Sequence, residues 1–435
     1  MAAGLGTRMH SATPKHLHTL LGRRVIDWVL DAARGLKANP LVLVVSPDSE
    51  AEFEGAKIAI QREPLGTGDA VASARDALAG FEGSLLVLDG AAPLVTTKLL
   101  QGLVETHRRE GPAVTVLTLE PESPLPYGRL VRDETGALRE IVEEKDATPE
   151  QREIRELNSS IYVFEAAALW PALSRLDRSN EQGELYLTDA VRAIIDQGGT
   201  AATYSASDPI EAVGVNTRAE LAAAAAALRE RVNESHMLAG VTIVDPATTW
   251  IDEQVELEPD AVIQPFTVLR GHTRVRAGAE VGPHVVAVDA EIGPGATVGP
   301  FCYLRPGTVL GAGAKAGTFV EIKNSQIGER TKVPHLSYIG DAELGEDTNV
   351  GAGGITVNFP HERGKEKGRT KIGRNVRTGV QNAFVAPVEI GDDAWIAAGS
   401  VVTDDVPPGA LAGFPPRQVT KEGYVYRKQG TPEDD

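Results

Sequence analysis

The spacing of apolar residues divides the chain into two halves. In the first half, blocks of helical and strand character alternate. Residues 25–36 carry apolar side chains at helical intervals, and 40–46 is a continuous apolar run that reads as a buried strand. The helical spacing returns at 70–79 and 97–109, and the strand pattern at 85–88 and 113–119. This alternation predicts a mostly parallel sheet with helices on both faces. Ligands of such sheets lie beyond the carboxyl ends of the strands. Near Thr217 the pattern changes. The stretch 218–232 holds six consecutive alanines flanked by leucines, a strong helix former that reads as a connecting helix.

The second half carries an internal period. Ile292, Val298, Leu304, Leu310, Ala316 and Ile322 lie six residues apart, and so do Ile372, Thr378, Phe384, Ile390, Ile396 and Val402. A glycine often follows, as at Gly293, Gly299, Gly311, Gly317, Gly373 and Gly391. A step of six is wrong for a helix. It fits a hexapeptide β-helix in which each short strand turns one apolar side chain inward and three strands complete a triangular coil. The register slips at Ile327, Val333 and Tyr338 and again in 361–371, where loops are expected.

Composition narrows the function. Of 435 residues 61 are acidic and 43 basic, a net charge of −18, which argues against a nucleic-acid scaffold. One cysteine, Cys302, leaves no internal disulfide and no cysteine-built metal site, and it is expected to pack in the solenoid core. No apolar run has the length of a membrane span and the N-terminus lacks a signal-peptide core, so a soluble cytoplasmic protein is expected. The polar end of the chain, from Gln429, is expected to be disordered.

The candidate chemistry begins at Ala2-Ala3-Gly4-Leu5-Gly6-Thr7-Arg8-Met9, followed by Pro14-Lys15. Met9 stands where a dinucleotide fingerprint needs its third glycine, and the Walker pattern is absent. What remains is a glycine loop whose backbone could approach phosphate, with Arg8 and Lys15 to neutralise it, or simply a turn with solvated charges.

The string from Ala2 to Lys15 resembles the signature of sugar-1-phosphate nucleotidyltransferases. With a hexapeptide β-helix behind it, the chain resembles the bacterial bifunctional N-acetylglucosamine-1-phosphate uridyltransferase and glucosamine-1-phosphate acetyltransferase family over almost its whole length. Segments 61–68, 127–129, 143–148, 156–158 and 214–216 also match that family. The resemblance implies an α/β nucleotidyltransferase (Rossmann-like) domain over 1–217, a linking helix over 218–238, a left-handed parallel β-helix over 239–420 and a tail over 421–435. It implies nucleotide or sugar contacts at Gly4, Gln61, Gly66, Thr67, Gly128, Glu143, Asn158 and Asn216, with Arg8 and Lys15 at the reacting phosphates and Mg²⁺ on Asn216. In the second half it implies sugar-phosphate contacts at Arg305, Lys323, Tyr338 and Asn349, with Asn358 beside a general base, His335. Acetyl-CoA would meet Lys367, Val380, Ala398 and Arg417. Glucosamine-1-phosphate, acetyl-CoA and UTP are the implied substrates, and a homotrimer the implied assembly. Histidine suits the base role because an amine must lose a proton before it attacks a thioester.

The chain departs from the family in several places. Ala91 stands where the family has a Mg²⁺-binding aspartate; Asp89, two residues earlier on what reads as extended chain, is the candidate substitute. The family has a full apolar strand before the glycine loop, whereas Met1 leads straight into it: either the recorded start is too late or the strand is missing, and a missing strand would leave its neighbours unpaired. Phe359-Pro360 replaces Tyr-Asp, the loop 361–371 is longer and basic, Val380 replaces a small hydroxyl residue, and Pro415 replaces a cofactor-binding arginine. The activity implied is therefore acetyl transfer to glucosamine-1-phosphate followed by uridylyl transfer from UTP. The alternatives are acetyl transfer alone, a related sugar phosphate or nucleotide, and a non-catalytic trimeric scaffold.

Overall fold

The computed structural model describes residues 1–4, 6–53, 57–360, 364, 366–413 and 418–429. Contacts divide the chain into two units, Met1–Leu228 and Arg229–Asp435, with the boundary inside the connecting helix. Among the described residues no helix is long and apolar enough to cross a membrane.

In the first unit the expected helices form as α1 (Val25–Arg34), α2 (Thr67–Ser73) and α3 (Thr97–Glu110), and the expected strands as β1 (Val42–Val45), β3 (Ser84–Val87) and β4 (Val114–Leu119). Between them lies β2 (Lys57–Ile60). After β4 come β5 (Arg129–Arg132), β6 (Leu138–Val142), β7 (Leu157–Glu165), α4 (Ala166–Leu173), α5 (Leu187–Asp196) and β8 (Ala201–Ser205). Local chemistry sets the ends of α3. The Thr96 side chain accepts the Leu99 N–H at 3.1 Å, and Gly111 takes a φ of 63° after the last turn.

The sheet order is β8-β4-β7-β5-β6, with β3 also on β7. Only β8 and β4 run parallel; β7 is antiparallel to β3, β4 and β5. The sheet is thus mixed, not mostly parallel, because a hairpin of β5 and β6 and a return strand β7 interrupt the βα alternation. Helices do cover both faces. Leu117, Leu119, Ile161 and Val163 pack with Ile26, Val29, Leu100 and Leu103. Val114, Val116, Tyr162 and Phe164 pack with Leu187, Val191 and Ile194. Each such fully buried side chain is worth roughly 1.5–3 kcal/mol relative to exposure.

β1 and β2 form their own two-stranded sheet. β1 and β3 border an apolar cavity of about 570 Å³ with Val29, Val104 and Trp170. The Met1–Ala2 backbone bridges β1 and the chain just after β3 at one end. Ala2 N donates to Val44 O at 2.7 Å, Gly90 N to Met1 O at 2.7 Å and the Met1 amino group to Leu88 O at 2.8 Å.

The helix expected over 218–232 extends as α6 (Arg218–Leu238). Its second half belongs to the second unit, where Asn233 Nδ2 donates to Pro246 O and Thr249 O at 3.0 Å each. The rest of that unit is a parallel β-helix whose three faces are built mostly from strands three apart in sequence. The six-residue step is the inward step: Ile292, Val298, Leu304, Leu310, Ala316 and Ile322 are all buried, as are Ile372, Thr378, Phe384, Ile390, Ile396 and Val402. Ile327, five residues after Ile322, and Val333 also point inward, so the slip at Ile327 is present; the next inward residue is Ile339, which keeps the step of six, and Tyr338 faces out. Cys302 is buried as expected, and burial pushes its thiol up to about 11. The first sheet begins at Thr242–Ile243, the second at Trp250–Ile251 and the third at Glu256–Leu257. The coil between Leu344 and Ile372 carries the long loop, of which 361–363 and 365 lie outside the described residues. Within the tail, Tyr424–Gln429 is a short helix; 430–435 lie outside the described residues.

Candidate active sites

The glycine loop closes because Gly6 is in the left-handed region, with a φ of 62°, and a Cβ there would sit 2.9 Å from Lys15 Cβ. Met9 is fully buried beneath it. Lys15 Nζ donates to Asn216 Oδ1 at 3.1 Å. Asn216 and Thr217 are fixed in turn by their N–H groups, which donate to Glu220 Oε2 at 2.7 and 2.8 Å.

Across the site, Gln61 Nε2 donates to Gly66 O at 3.0 Å and Asp69 Oδ2 at 2.8 Å. Gly66 has a φ of 120°, and a Cβ there would meet Leu185 O at 2.5 Å. The Thr67 hydroxyl accepts from Leu187 N at 3.0 Å, at the start of α5. Asn158 N donates to Gly128 O at 2.9 Å, and Asn158 Nδ2 to Tyr162 Oη at 2.8 Å. Glu143 accepts from Thr188 Oγ1 at 3.1 Å, and burial raises its carboxyl above the usual range.

These residues converge. Gly4, Arg8, Lys15, Gln61, Gly66, Thr67, Asp89, Gly128, Glu143, Asn158 and Asn216 all line one cavity of about 480 Å³. Residues with no predicted role line it too. Tyr127 Oη donates to Gly214 O at 3.2 Å and accepts from Gly214 N at 3.0 Å, and burial pushes its hydroxyl up to about 12. His16 is 1% exposed, and neither ring nitrogen has a partner. Burial, helped by the Lys15, Met1 and Arg24 charges and opposed by Asp89, lowers it to about 4.

Asp89 and Ala91 do not lie on extended chain as the sequence suggested. β3 ends at Val87, and Asp89 turns back so that its Oδ1 accepts the Ala91 N–H at 3.0 Å, a local bond that aspartate commonly makes in turns. Ala91 O accepts from Val215 N at 2.7 Å, which ties this turn to the 214–216 segment. A Cβ on Gly214 would lie 3.0 Å from Asp89 Oδ2. One carboxylate and one amide oxygen thus line the same cavity. That donor set suits a hard cation that draws its remaining ligands from water and phosphate. Among the described residues no cluster of three or more His, Cys, Asp or Glu side chains could hold a metal by itself.

In the second unit the candidates fall into two groups along the edges of the second sheet. Arg305 and Lys323 directly follow the inward Leu304 and Ile322 of successive coils at one edge, and Asn358 lies two residues past the inward Thr356, two coils further on. Arg305 Nη1 donates to Glu321 Oε1 at 2.9 Å, and Lys323 Nζ lies 3.5 Å from Asp341 Oδ2. Asn358 Nδ2 donates to Asp341 Oδ2 at 2.5 Å and lies 3.4 Å from Tyr338 Oη. Lys367 stands 5.9 Å over the Phe359 ring. Lys367 as hydrogen-bond partner and the Asp341 carboxylate raise Lys323, while the Lys323 ammonium lowers Lys367. Three cations therefore converge on one edge of an acidic protein.

At the other edge His335, Val380 and Ala398 occupy matching corner positions. Gly353 N, just past that corner, donates to His335 O at 3.4 Å, Gln381 N to Ala352 O at 2.7 Å and Gly399 N to Val380 O at 2.8 Å. Asn349 lies on the first sheet between Lys332 and Arg377. Among the described residues no hydrogen bond or ion pair joins the His335 ring to the Arg305 edge. Tyr338, outward on the second sheet, reaches from the His335 side to Asn358. Arg417 lies outside the described residues.

Residues 1–183 match the family model described as a MobA-like NTP transferase domain. The bifunctional protein GlmU of Pelobacter propionicus is 45% identical over 450 residues, covering 98% of this chain and 97% of that protein. That of Streptomyces avermitilis is 47% identical over 454 residues, covering 99% and 94%. That of Caldanaerobacter subterraneus subsp. tengcongensis is 44% identical over 448 residues, covering 98% and 97%.

Proposed function

The chain belongs to the bifunctional GlmU family, and from that premise we propose how its residues make UDP-N-acetylglucosamine from glucosamine-1-phosphate, acetyl-CoA and UTP. Acetyl transfer comes first. His335 takes a proton from the sugar ammonium group, and the free amine attacks the thioester carbonyl. The C–N bond forms, the C–S bond breaks, and the thiolate leaves to be protonated as coenzyme A. Arg305 and Lys323 hold the sugar phosphate at one edge of the second sheet, with Tyr338 and Asn358 beside them, and Lys367, next to Lys323, meets the phosphates of acetyl-CoA. Acetyl-CoA lies along the His335, Val380 and Ala398 column.

Uridylyl transfer follows in the first unit. The sugar phosphate is already a nucleophile, so this site needs no base; it must align two polyanions and offset their charge. Its oxygen attacks the α-phosphorus of UTP, and pyrophosphate leaves. Arg8 and Lys15 balance the phosphates. Gln61, Gly66 and Thr67 frame the uracil, and Gly128, Glu143 and Asn158 the sugar. Asp89 and Asn216 would hold Mg²⁺, which when bound lowers the charge on the phosphates. The observation that supports this reading is the convergence of segments spread from Gly4 to Asn216 on one cavity.

A homotrimer is part of the same proposal. The outward residues of the second sheet include Trp250, Val268, Val286, Tyr303, Ile355 and Val401, whereas those of the third include Glu256, Arg274, Glu291, Glu343, Lys371 and Glu389. An apolar outer face beside a charged one suits burial against a second copy. Both cosubstrates are cytoplasmic metabolites, which fits a cytoplasmic site of action.

Mass-spectrometric product analysis after incubation with glucosamine-1-phosphate, acetyl-CoA, UTP and Mg²⁺ tests the reading. UDP-N-acetylglucosamine is expected to accumulate. A reaction that stops at N-acetylglucosamine-1-phosphate would overturn the assignment of the first unit.

A further inference from the structure

Asp341 carries no role so far, yet it is the hub of the Arg305 edge. It is 6% exposed and sits at a corner of the β-helix with a φ of 50°, a backbone state that aspartate tolerates and bulkier residues resist. Its N–H donates to Lys323 O at 3.0 Å. Its Oδ1 accepts from Asn324 Nδ2 at 2.6 Å, and its Oδ2 accepts from Asn358 Nδ2 at 2.5 Å and faces Lys323 Nζ at 3.5 Å. The preceding residue must be glycine for this packing. A Cβ on Gly340 would sit 2.3 Å from Tyr338 Oη and 2.7 Å from Asn358 Nδ2.

An ionised carboxylate only accepts hydrogen bonds. It therefore forces both neighbouring amides to turn their NH₂ groups toward it. For Asn358, 8% exposed, that leaves the amide oxygen on the side away from Asp341. The same carboxylate holds the Lys323 ammonium in place.

We propose that Asp341 is a positioning residue of the acetyl-transfer site: it sets Asn358 so that the amide oxygen accepts from the amino group of the bound sugar, and it holds Lys323 against the sugar phosphate. Asp341 itself touches neither substrate. The proposal rests on the acetyl-transfer reading of this edge.

The test uses the full chain and its two activities. Asp341→Asn offers one acceptor oxygen where two amide donors converge. It is expected to lower kcat/KM for glucosamine-1-phosphate roughly 100-fold, the scale of a misplaced contact, while uridylyl transfer by the same molecule stays unchanged. In an Asn358→Ala background the same substitution should cost roughly tenfold rather than roughly 100-fold, because only its hold on Lys323 is left to lose. The exchange Asp341→Asn with Asn358→Asp reverses donor and acceptor but keeps an oxygen toward the sugar. It should recover at least roughly tenfold of the loss. Full additivity with Asn358→Ala, or no recovery in the exchange, overturns the proposal. A wild-type chain that transfers no acetyl group while still making UDP-sugar from N-acetylglucosamine-1-phosphate overturns the underlying reading instead.

Discussion

His16 makes a measurable demand on the fold of the first unit. It is buried beside Lys15 with both ring nitrogens unpartnered, and its pKa falls from 6.5 to about 4. The unfolded chain therefore binds a proton below pH 6.5 that the folded chain refuses until about pH 4. Stability must be lost as pH falls through that window, and the full loss is about 3.4 kcal/mol at 1.36 kcal/mol per unit. At about pH 5 the loss is already about 2 kcal/mol, and at about pH 7.5 it is near zero. His16→Leu removes the titration and the two unpartnered nitrogens together. The variant should be more stable than the parent by about 1–3 kcal/mol near neutrality, from relief of buried polar groups. The advantage should grow by about 2 kcal/mol at about pH 5. Urea unfolding read through Trp28 and Trp170, both in the first unit, measures the difference at the two pH values. An advantage equal at both pH values would refute the burial argument.

Other substitutions separate the two units. His335→Gln should lower acetyl-transfer kcat by roughly 10²–10⁴-fold, the usual worth of a positioned base, and leave uridylyl transfer intact in a nucleotide-release assay. Asp89→Ala should weaken Mg²⁺ binding at least roughly tenfold in calorimetry with UTP present, and Ala91→Asp should tighten it; unchanged binding in Asp89→Ala would remove Asp89 from the metal site. Gly90→Ala would place a Cβ 2.6 Å from Met1 O and 2.8 Å from Ile26 Cδ1. It should lower the unfolding midpoint of the first unit, by about 1–3 kcal/mol of stability, and depress uridylyl but not acetyl transfer.

The repeating coils were legible, and so were the helices and strands of the first half up to β4; the strands after β4 were not. One inward apolar side chain per strand, held over many coils, makes the β-helix visible as a period of six. The slip at Ile327 was legible, but the inward residue after Val333 was misread as Tyr338 because Tyr338 and Ile339 are both large, and the step stays at six there before shortening at Leu344. Strands β5 to β7 escaped because their segment is marked by site residues such as Gly128, Glu143 and Asn158 rather than by clean alternation. The site residues themselves came from resemblance, not from spacing, since loops obey no period. His16 left one usable trace: a histidine next to Lys15, in a turn otherwise anchored by buried apolar residues. Asp341 left a clearer one, an aspartate after glycine at a corner that other coils fill with Asn324 or Asp289 in the same left-handed state.

Two departures of the first unit from the family pattern, at Ala91 and at Met1, meet at one turn. Gly90 N holds the backbone of Met1, Asp89 Oδ1 holds Ala91 N, and Ala91 O holds Val215 N. One turn of three residues thus anchors the start of the glycine loop, the proposed metal carboxylate and the 214–216 segment. An aspartate at position 91 would leave its backbone bond to Val215 in place but add a second carboxylate beside Asp89, and like charges that close resist joint ionisation without a cation between them. With Ala91, the turn presents a single carboxylate. The site can then hold its shape before the metal and nucleotide arrive, at the cost of weaker metal affinity, and the substrate phosphates must supply more of the ligands. Magnesium and UTP should therefore bind this chain as a pair more strongly coupled than two carboxylates would allow, because the nucleotide completes a shell the protein alone leaves half built.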